Sequence, residues 1–329
     1  MNVLIVANPT SAATDYYRTT GPFVRLSQAN PKVKLQIEYP QNVKWHHMYT
    51  ADVLLFQRPN GDDILTLIAE AKRMGKKIVL DIDDLLHGLT DANPASRHFN
   101  APNILDSMDK ALTLGDHLIV STPFLMDYYT PKCNCPITVV PNCPDLQSTP
   151  FTEVQEQHAP LRIFWRGSTT HLQDLYTIEK VWNIMGTDKN YSLMFIGIEK
   201  FMLPWYQGNA VFVPWQTLFQ LFEGMGNSGI DWGIYPLTLD DFNRSKSNIF
   251  AMEMLCAGAP ILAPEGLPEW EHPGVLRYKN PMQLQVLLSD IRAGRIDKVK
   301  EVEAGRQWIA EHRNLNKHNE TRNAILNNL

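Results

Sequence analysis

The chain has no long hydrophobic run and no basic leader. None of its apolar runs approaches the ~20 residues that a membrane-spanning helix needs. The first residues, MNVLIVANP, carry no basic segment before the apolar stretch, so we expect a first β-strand there and not a signal peptide. We therefore expect no membrane span and a cytoplasmic location.

Cysteine is scarce, with four residues in a chain of 329. Three of them, Cys133, Cys135 and Cys143, lie in the segment KCNCPITVVPNC, and the fourth is Cys256. The segment contains no CxxC pair and no nearby pair of histidines, and the strand-like ITVV interrupts it. We expect reduced structural thiols there, with zinc as the alternative.

Three common signatures of nucleotide or acyl chemistry are absent. Neither half has GxGxxG after its first strand, where the loops read NPTSAATDYYR and RGSTTH, which argues against an NAD or FAD oxidoreductase. GxxxxGK[ST] is missing, so a P-loop NTPase is not indicated. The GxSxG nucleophile elbow is missing as well.

An excess of positive charge is also lacking. The formal net charge is −5, and residues 1–147 hold 13 Lys and Arg against 15 Asp and Glu, while the remainder holds 17 against 20. Neither half is a basic module of the kind that grips nucleic acid non-specifically. This balance still leaves room for a local basic groove.

The chain does contain short aliphatic runs that alternate with stretches of helical periodicity. This pattern predicts an α/β fold with parallel sheets. It pauses at the polar, proline-containing DLQSTPFTEVQEQHAPL and then restarts. We expect an N-terminal Rossmann-like domain (1–147), a linker (148–160), a second Rossmann-like domain (161–310) and a helical tail (311–329), with a ligand cleft beyond the strand ends.

The segment DDFNRSKSNIFAMEMLCAGAPILAP carries Lys246 and Glu253 at positions where a helix would not favour a charge. We expect a helix that begins near Lys246 and ends near Cys256, with Gly258 as its cap. A helix N-terminus disfavours a lysine unless an anion binds there, so Lys246, with Arg244, predicts a diphosphate site. Glu253 lies seven residues later, roughly 10 Å along the axis, and suits ribose hydroxyls. The alternative is a surface lysine and a structural glutamate.

The same segment, read as DWGIYPL…DFNRSKSNIFAMEMLCAGAPILAP, resembles the donor-binding segment of GT-B glycosyltransferases of the GT4-like group. FWRGSTTHLQDL resembles the opening of that group's second domain, and YYR, QRP and LDIDDLL resemble parts of its first domain. Similar sequences are associated with bacteria and their phages. The resemblance implies two domains that face each other across a cleft, with C-terminal helices that return to the first domain.

The resemblance also implies roles for individual residues. Glu253 would bind the donor ribose, and Arg166 and Lys246 would neutralise the diphosphate. The further donor-side candidates are Gly167, Ser168, Asn243, Arg244, Ser245 and Ser247. Two departures from the group stand out: Ser245 replaces a common Glu, and Phe250 replaces a common Lys. The first puts a sugar-hydroxyl contact in question.

Other candidates follow from their positions after strands. In DIDD, Asp83 and Asp84 would accept the proton of the acceptor hydroxyl or hold sugar hydroxyls; helix capping by Asp84 and Mg²⁺ binding are the alternatives. We assign Arg18 and Arg58 to the acceptor side; for Arg18, a contact with the donor or a place on a solvated helix face is the alternative. His171 would bond a phosphate and Trp215 would stack on the base, although core packing of Trp215 is an equal alternative.

These features predict a glycosyltransferase that uses a nucleoside diphosphate sugar, needs no metal or other cofactor, and retains the anomeric configuration. The acceptor is a saccharide or a hydroxymethylated or glycosylated base in phage DNA; a phage protein would act in the host cytoplasm. First-domain residues that suit DNA phosphates are Lys44, His46, His47, Arg58, Arg97 and His98. The alternatives are a nucleotide-sugar epimerase of this fold and a non-catalytic nucleotide-sugar or DNA-associated scaffold.

Overall fold

The computed structural model describes residues 1–8, 12–227 and 229–329. Within these residues no helix is both long enough and apolar enough to cross a bilayer. The described chain forms two parallel sheets of six strands each.

Each sheet is built from a continuous part of the chain. The first contains β1 (Asn2–Val6), β2 (Lys34–Glu38), β3 (Val53–Gln57), β4 (Lys77–Ile82), β5 (His117–Val120) and β6 (Ile137–Val139), in the order β2-β1-β3-β4-β5-β6. The second contains β7 (Leu161–Arg166), β8 (Tyr191–Ile196), β9 (Val211–Val213), β10 (Trp232–Ile234), β11 (Ile261–Pro264) and β12 (Val275–Tyr278), in the order β12-β11-β10-β7-β8-β9.

The central strands of both sheets are largely buried on both faces, as parallel sheets require. β3, for example, is buried at every position. The aliphatic pattern does not name β2 or β12, which lie at the sheet edges. Each carries polar residues, as in KLQIE, because an edge strand is only partly covered.

Helices cover both faces of the sheets. The helices of the first part are α1 (Ala12–Asp15), α2 (Gly21–Ala29), α3 (Trp45–Thr50), α4 (Asp62–Arg73), α5 (Ser96–Phe99), α6 (Pro102–Leu114) and α7 (Pro123–Tyr129). Those of the second part are α8 (Leu172–Tyr176), α9 (Glu179–Thr187), α10 (Leu218–Asn227), α11 (Asp241–Arg244), α12 (Ile249–Cys256), α13 (Pro281–Arg292), α14 (Lys298–His312) and α15 (Leu315–Asn327).

The helical stretch after β1 contains a turn of π-helix. Residues Tyr16–Thr20 have π geometry between α1 and α2. A single π turn rotates the side chains that follow it and is frequent at functional sites. Here it buries both Tyr17 and Arg18.

The last helix, α15, returns to the first sheet, as the resemblance implied for the C-terminal helices. On α15, the Asn319 side chain donates to the carbonyl of Pro22 (2.8 Å), and Asn323 accepts from Asn30 (3.1 Å). Ile325 and Leu326 pack into the core beneath β1 and β3. Residues 148–160 contain neither helix nor strand, while the exact domain bounds stay predictions.

Candidate active site between the two sheets

A cavity of about 490 Å³ opens between the carboxyl ends of the two sheets. Both domains line it. Its lining residues include Asn8, Tyr17, Arg58, Asp83, Asp84, Leu86, Leu89, Phe99, Arg166, Gly167, Ser168, His171, Trp215, Tyr235, Lys246, Ser247, Ile249 and Phe250. This is the position at which open α/β sheets bind ligands.

Lys246 reaches the cavity from a loop, and the predicted helix start at this residue is wrong. Asp240 caps α11 by accepting from the Asn243 amide (2.8 Å). The chain then leaves helical geometry from Ser245 to Asn248, and α12 begins at Ile249. Polar groups of residues 245–248 form hydrogen bonds with the first domain, and these bonds keep the segment out of the helix. Lys246 and Glu253 therefore do not lie on one helix, and the spacing predicted along a common axis is wrong too.

The ammonium of Lys246 contacts a carboxylate of the first domain. Its Nζ lies 3.3 Å from Asp84 Oδ1 and 4.4 Å from the centre of the Phe242 ring. Both side chains of the ion pair are largely buried, with 15% and 19% of their surface exposed. This pair bridges the two domains at the cavity wall.

Arg58 joins both aspartates that follow β4. Its guanidinium donates to Asp83 Oδ2 (2.7 Å) and to Asp84 Oδ2 (2.6 Å). The backbone of Arg58 has φ of +46°, an uncommon value for a residue with a side chain. Such strain persists where the surroundings enforce it and clusters at functional sites.

The two aspartates differ in their affinity for a proton. Burial raises the pKa of Asp83; Arg58 opposes this rise and Asp84 adds to it. Burial alone would raise the pKa of Asp84 too, but Lys246 and Arg58 outweigh it and hold that pKa below its ordinary value. Neighbouring carboxyls whose pKa values are driven apart are typical of acid–base sites.

Glu253 is buried on α12, with 2% of its surface exposed. Tyr17 of the first domain donates to its Oε1 at 2.8 Å, and Arg166 forms an ion pair with its Oε2. The guanidinium of Arg166 lies over the ring of Phe250, 5.8 Å from its centre. The ion pair and the hydrogen bond offset the cost of burying this carboxylate.

Further hydrogen bonds close the two domains on each other. Ser245 accepts from the backbone amide of Leu85 (3.2 Å), and its carbonyl accepts from the hydroxyl of Thr122 (3.0 Å). Asn142 donates to the hydroxyl of Ser247 (2.7 Å). The domains are thus in contact along the loop that carries Lys246.

His171 lies in a buried chain of hydrogen bonds. Its Nδ1 is 2.7 Å from Asp174 Oδ2 and its Nε2 is 3.1 Å from the hydroxyl of Tyr235. Burial lowers the pKa of His171 although Asp174 opposes the shift, which favours the neutral ring at pH 7. Both ring nitrogens are engaged, so a phosphate would have to displace Tyr235 to reach Nε2.

The end of β7 and the loop after β9 shape one side of the cavity. A side chain at Gly167 would clash with the ring of Trp165, since its Cβ would lie 2.6 Å from Cζ2. Gly167 therefore keeps backbone exposed at the cavity beside Ser168. Trp215 also lines the cavity and is 54% exposed, so core packing does not account for it.

Five predicted site residues do not line the cavity. Arg18 is fully buried and donates to both oxygens of Asp81, to the Val140 carbonyl and to Asn142. The Arg244 side chain is 46% exposed and lies near Asp241. The others, all buried behind the lining, are Asn243, Ser245 and Glu253.

Arg18 and Asn243 hold other site residues in place. Arg18 anchors the strand end next to Asp83, and it shares Asn142 with Ser247. Asn243 donates to Asp174 Oδ1 (2.9 Å), which steadies the partner of His171. The acceptor-side role predicted for Arg18 is not supported by this location.

Sequence reasoning did not single out Tyr17, Asn142, Asp174 or Tyr235. Tyr17 stands in the quoted YYR and Asp174 in HLQDL, three residues after His171. That spacing fits a contact within one helical turn, which was the available signal for Asp174. Tyr17 and Glu253 are 236 residues apart, and no local pattern reveals such a contact.

Among the described residues, no group of three or more His, Cys, Asp or Glu side chains is arranged to hold a metal ion. Asp83 and Asp84 are instead occupied by cationic side chains. Independence from metal stays a prediction.

The architecture can be compared with known proteins. No family model matches the chain, and no curated protein sequence matches it. An α-glucosyltransferase in complex with UDP-glucose and DNA containing an abasic site superposes with a TM-score of 0.70 at 10% identity, over 99% of both chains. The chain has the GT-B fold.

Two further structures have the same architecture. HepE from Anabaena, in complex with UDP-glucose, has a TM-score of 0.66 at 11% identity, over 100% of both chains. The lipopolysaccharide outer core galactosyltransferase WaaB has a TM-score of 0.62 at 11% identity, also over 100% of both. Membership of the GT4-like group stays a prediction.

Proposed function

We propose that this protein is a glycosyltransferase that moves a sugar from a nucleoside diphosphate sugar to an acceptor hydroxyl. The observation that carries the proposal is the meeting of Arg166, Lys246 and the start of α12 at the cavity between the two sheets. Cationic side chains and a helix N-terminus are what a diphosphate leaving group needs. The solved structures of this fold include several with bound UDP or UDP-glucose.

Without a ligand, both cations are neutralised by the protein itself. Lys246 pairs with Asp84, and Arg166 pairs with Glu253. A diphosphate would take over Lys246 and release Asp84 from that pair. Donor binding is therefore an exchange of anions, and Asp84 is freed at the wall where the acceptor would bind.

The nucleoside would lie toward α12 and the loop after β9. Glu253 is buried behind the lining, so it would accept from the ribose hydroxyls once Tyr17, its donor and a lining residue, moves aside. Trp215 offers an exposed aromatic face for the base. Glycine at position 167 lets backbone approach the phosphates.

The reaction breaks the bond between the anomeric carbon and the diphosphate oxygen and forms one from that carbon to the acceptor oxygen. Arg166 and Lys246 would stabilise the negative charge on the leaving group. The acceptor proton would pass to Asp83 or Asp84, or to the departing phosphate oxygen. We propose retention of configuration and no metal requirement.

The acceptor would approach from the first domain. Leu86, Leu89 and Phe99 give that wall an apolar part, beside the carboxylates of Asp83 and Asp84. α5, which carries Arg97 and His98, borders the cavity through Phe99. Such a wall suits either a saccharide or an extruded DNA base bearing a hydroxyl.

The test is a transfer assay with a panel of nucleoside diphosphate sugars. Saccharides and hydroxymethylated DNA serve as acceptors, and products are identified by mass spectrometry with EDTA present. We expect an acceptor heavier by one glycosyl unit and equimolar NDP, both strongly reduced in Lys246→Ala. A donor epimerised at C2 would identify an epimerase, and tight NDP-sugar binding with no turnover across the panel would identify a scaffold.

A further inference from the structure

Two thiols lie side by side at the edge of the first sheet remote from the cavity. Cys133 and Cys135 follow α7 and precede β6, so they lie at the amino ends of parallel strands whose carboxyl ends face the cleft. Both are partly exposed. Their Sγ atoms are 3.1 Å apart.

Their surroundings hold the two sulfurs together. Cys133 Sγ lies 3.6 Å from the carbonyl of Leu112, near the end of α6. Cys135 Sγ lies within 4 Å of the position that a Cβ atom at Gly115 would occupy, so it packs against this glycine. A short helical turn before the pair and Pro136 after it limit the freedom of the intervening backbone.

The two sulfurs differ in reactivity. The hydrogen bond from Cys135 lowers the pKa of Cys133 to about 7, against burial, and the same contact raises the pKa of Cys135. The thiolate is the reactive form of cysteine. At neutral pH Cys133 is thus the nucleophile and Cys135 the neighbouring thiol.

A structural zinc ion suits this pair poorly. Zinc bonds its sulfur ligands at ~2.3 Å in a tetrahedron, which separates two sulfurs by roughly 3.8 Å. The observed separation is shorter. Within residues 1–8, 12–227 and 229–329 no third His, Cys, Asp or Glu completes a metal cluster with them.

We propose that Cys133 and Cys135 form a reversible dithiol–disulfide couple that exchanges with small disulfides of the glutathione type. The Cys133 thiolate attacks one sulfur of the small disulfide, forming a mixed disulfide and releasing one thiolate. Cys135 then loses its proton to solvent and attacks Cys133 Sγ, releasing the second thiolate. The protein loses two electrons and two protons, and the small disulfide becomes two thiols.

The remaining cysteines supply matched controls. Cys143 and Cys256 are buried, and burial raises their pKa values to about 11 and about 12. Both are therefore expected to be inert under the conditions that oxidise the pair. A bridge that spans a single residue closes a tight ring and is expected to be reduced easily.

The experiment equilibrates the native full-length protein with oxidised glutathione at pH 7, then denatures it, alkylates free thiols and measures the intact mass. Wild type should take up alkyl groups on two of its four cysteines, with no glutathione attached, and recover all four after reduced glutathione is added. Cys135→Ser should retain one glutathione on Cys133. Cys143→Ser and Cys256→Ser should still form the bridge, which peptide mapping would locate.

Several results would overturn the proposal. Four alkylated cysteines in oxidised wild type would do so, as would separate glutathione adducts on Cys133 and Cys135 without a bridge. Stoichiometric zinc in the purified protein that is lost in Cys133→Ser would identify a metal site instead. The wild-type arm needs no variant to fold, and circular dichroism checks the folding of each variant.

Discussion

Removal of the carboxylate at Asp84 should strengthen the binding of a nucleoside diphosphate. In the free protein Lys246 is paired with Asp84 at 3.3 Å. A diphosphate that takes over Lys246 must break this pair, which is worth about 1 kcal/mol, the upper end of the range for ion pairs that keep some contact with solvent. Asp84→Asn removes this competition, so we expect NDP to bind about fivefold more tightly.

The competition also changes what Lys246 itself contributes. A hydrogen bond from a charged donor to the diphosphate is worth about 1.5–3 kcal/mol. In the wild-type background, diphosphate binding also breaks the Lys246–Asp84 pair. The net loss of binding free energy in Lys246→Ala is therefore only about 0.5–2 kcal/mol, or roughly 2- to 30-fold in Kd. In the Asp84→Asn background the loss should reach the full value, roughly 13- to 160-fold.

Isothermal titration of NDP against wild type, Asp84→Asn, Lys246→Ala and the double variant completes a double-mutant cycle for this pair. Lys189→Ala, an exposed lysine at the opposite end of the second sheet, is the matched control. High salt should shrink the effects. The reasoning fails if Asp84→Asn binds NDP no more tightly than wild type, or if Lys246→Ala costs the same in both backgrounds.

Three further predictions concern other groups. Glu253→Gln should weaken the binding of NDP and of free nucleoside alike by about 1.5–3 kcal/mol, and the binding of 2′-deoxy-NDP much less. Glu303→Gln, on the surface of α14, is the control; if Glu253→Gln binds all three ligands like wild type, Glu253 is purely structural. Asp83→Asn should leave donor affinity intact and lower kcat by roughly 10²-fold, whereas a change in melting temperature alone would assign it to structure. Burial lowers the pKa of His272 to about 4, so the unfolded chain binds the proton first as pH falls. The free energy of unfolding should therefore fall by up to about 3 kcal/mol between pH ~6.5 and ~4. Urea titrations across this pH range should show a smaller fall in His272→Gln and an unchanged fall in the control His46→Gln.

The apolar runs predicted the interior of the fold well. Strands buried on both faces need continuous aliphatic sequence, so the central strands of both sheets were recognisable, and so was the cleft at their carboxyl ends. The edge strand β6 was recognised through ITVV, whereas β2 was not, because KLQIE alternates polar and apolar residues in place of an aliphatic run. The return of α15 followed from the family resemblance and not from periodicity.

The site was less predictable in its details. A local pattern located Lys246, but the loop from Ser245 to Asn248 is held by contacts with the first domain, and these depend on the closed arrangement. The burial of Arg18 depends on Asp81 and Val140, far away in sequence. Such long-range pairings are set by tertiary structure. The chemical type of the site residues was therefore easier to predict than the contacts that each residue makes.

The most direct measurement is a crystal structure of the protein with bound UDP. We expect the β-phosphate oxygens within about 2.7–3.2 Å of Lys246 Nζ and of the Arg166 guanidinium, with Asp84 released from Lys246. A diphosphate bound outside the cavity between the two sheets, or a Lys246–Asp84 pair left intact beside bound UDP, would contradict the proposed donor site.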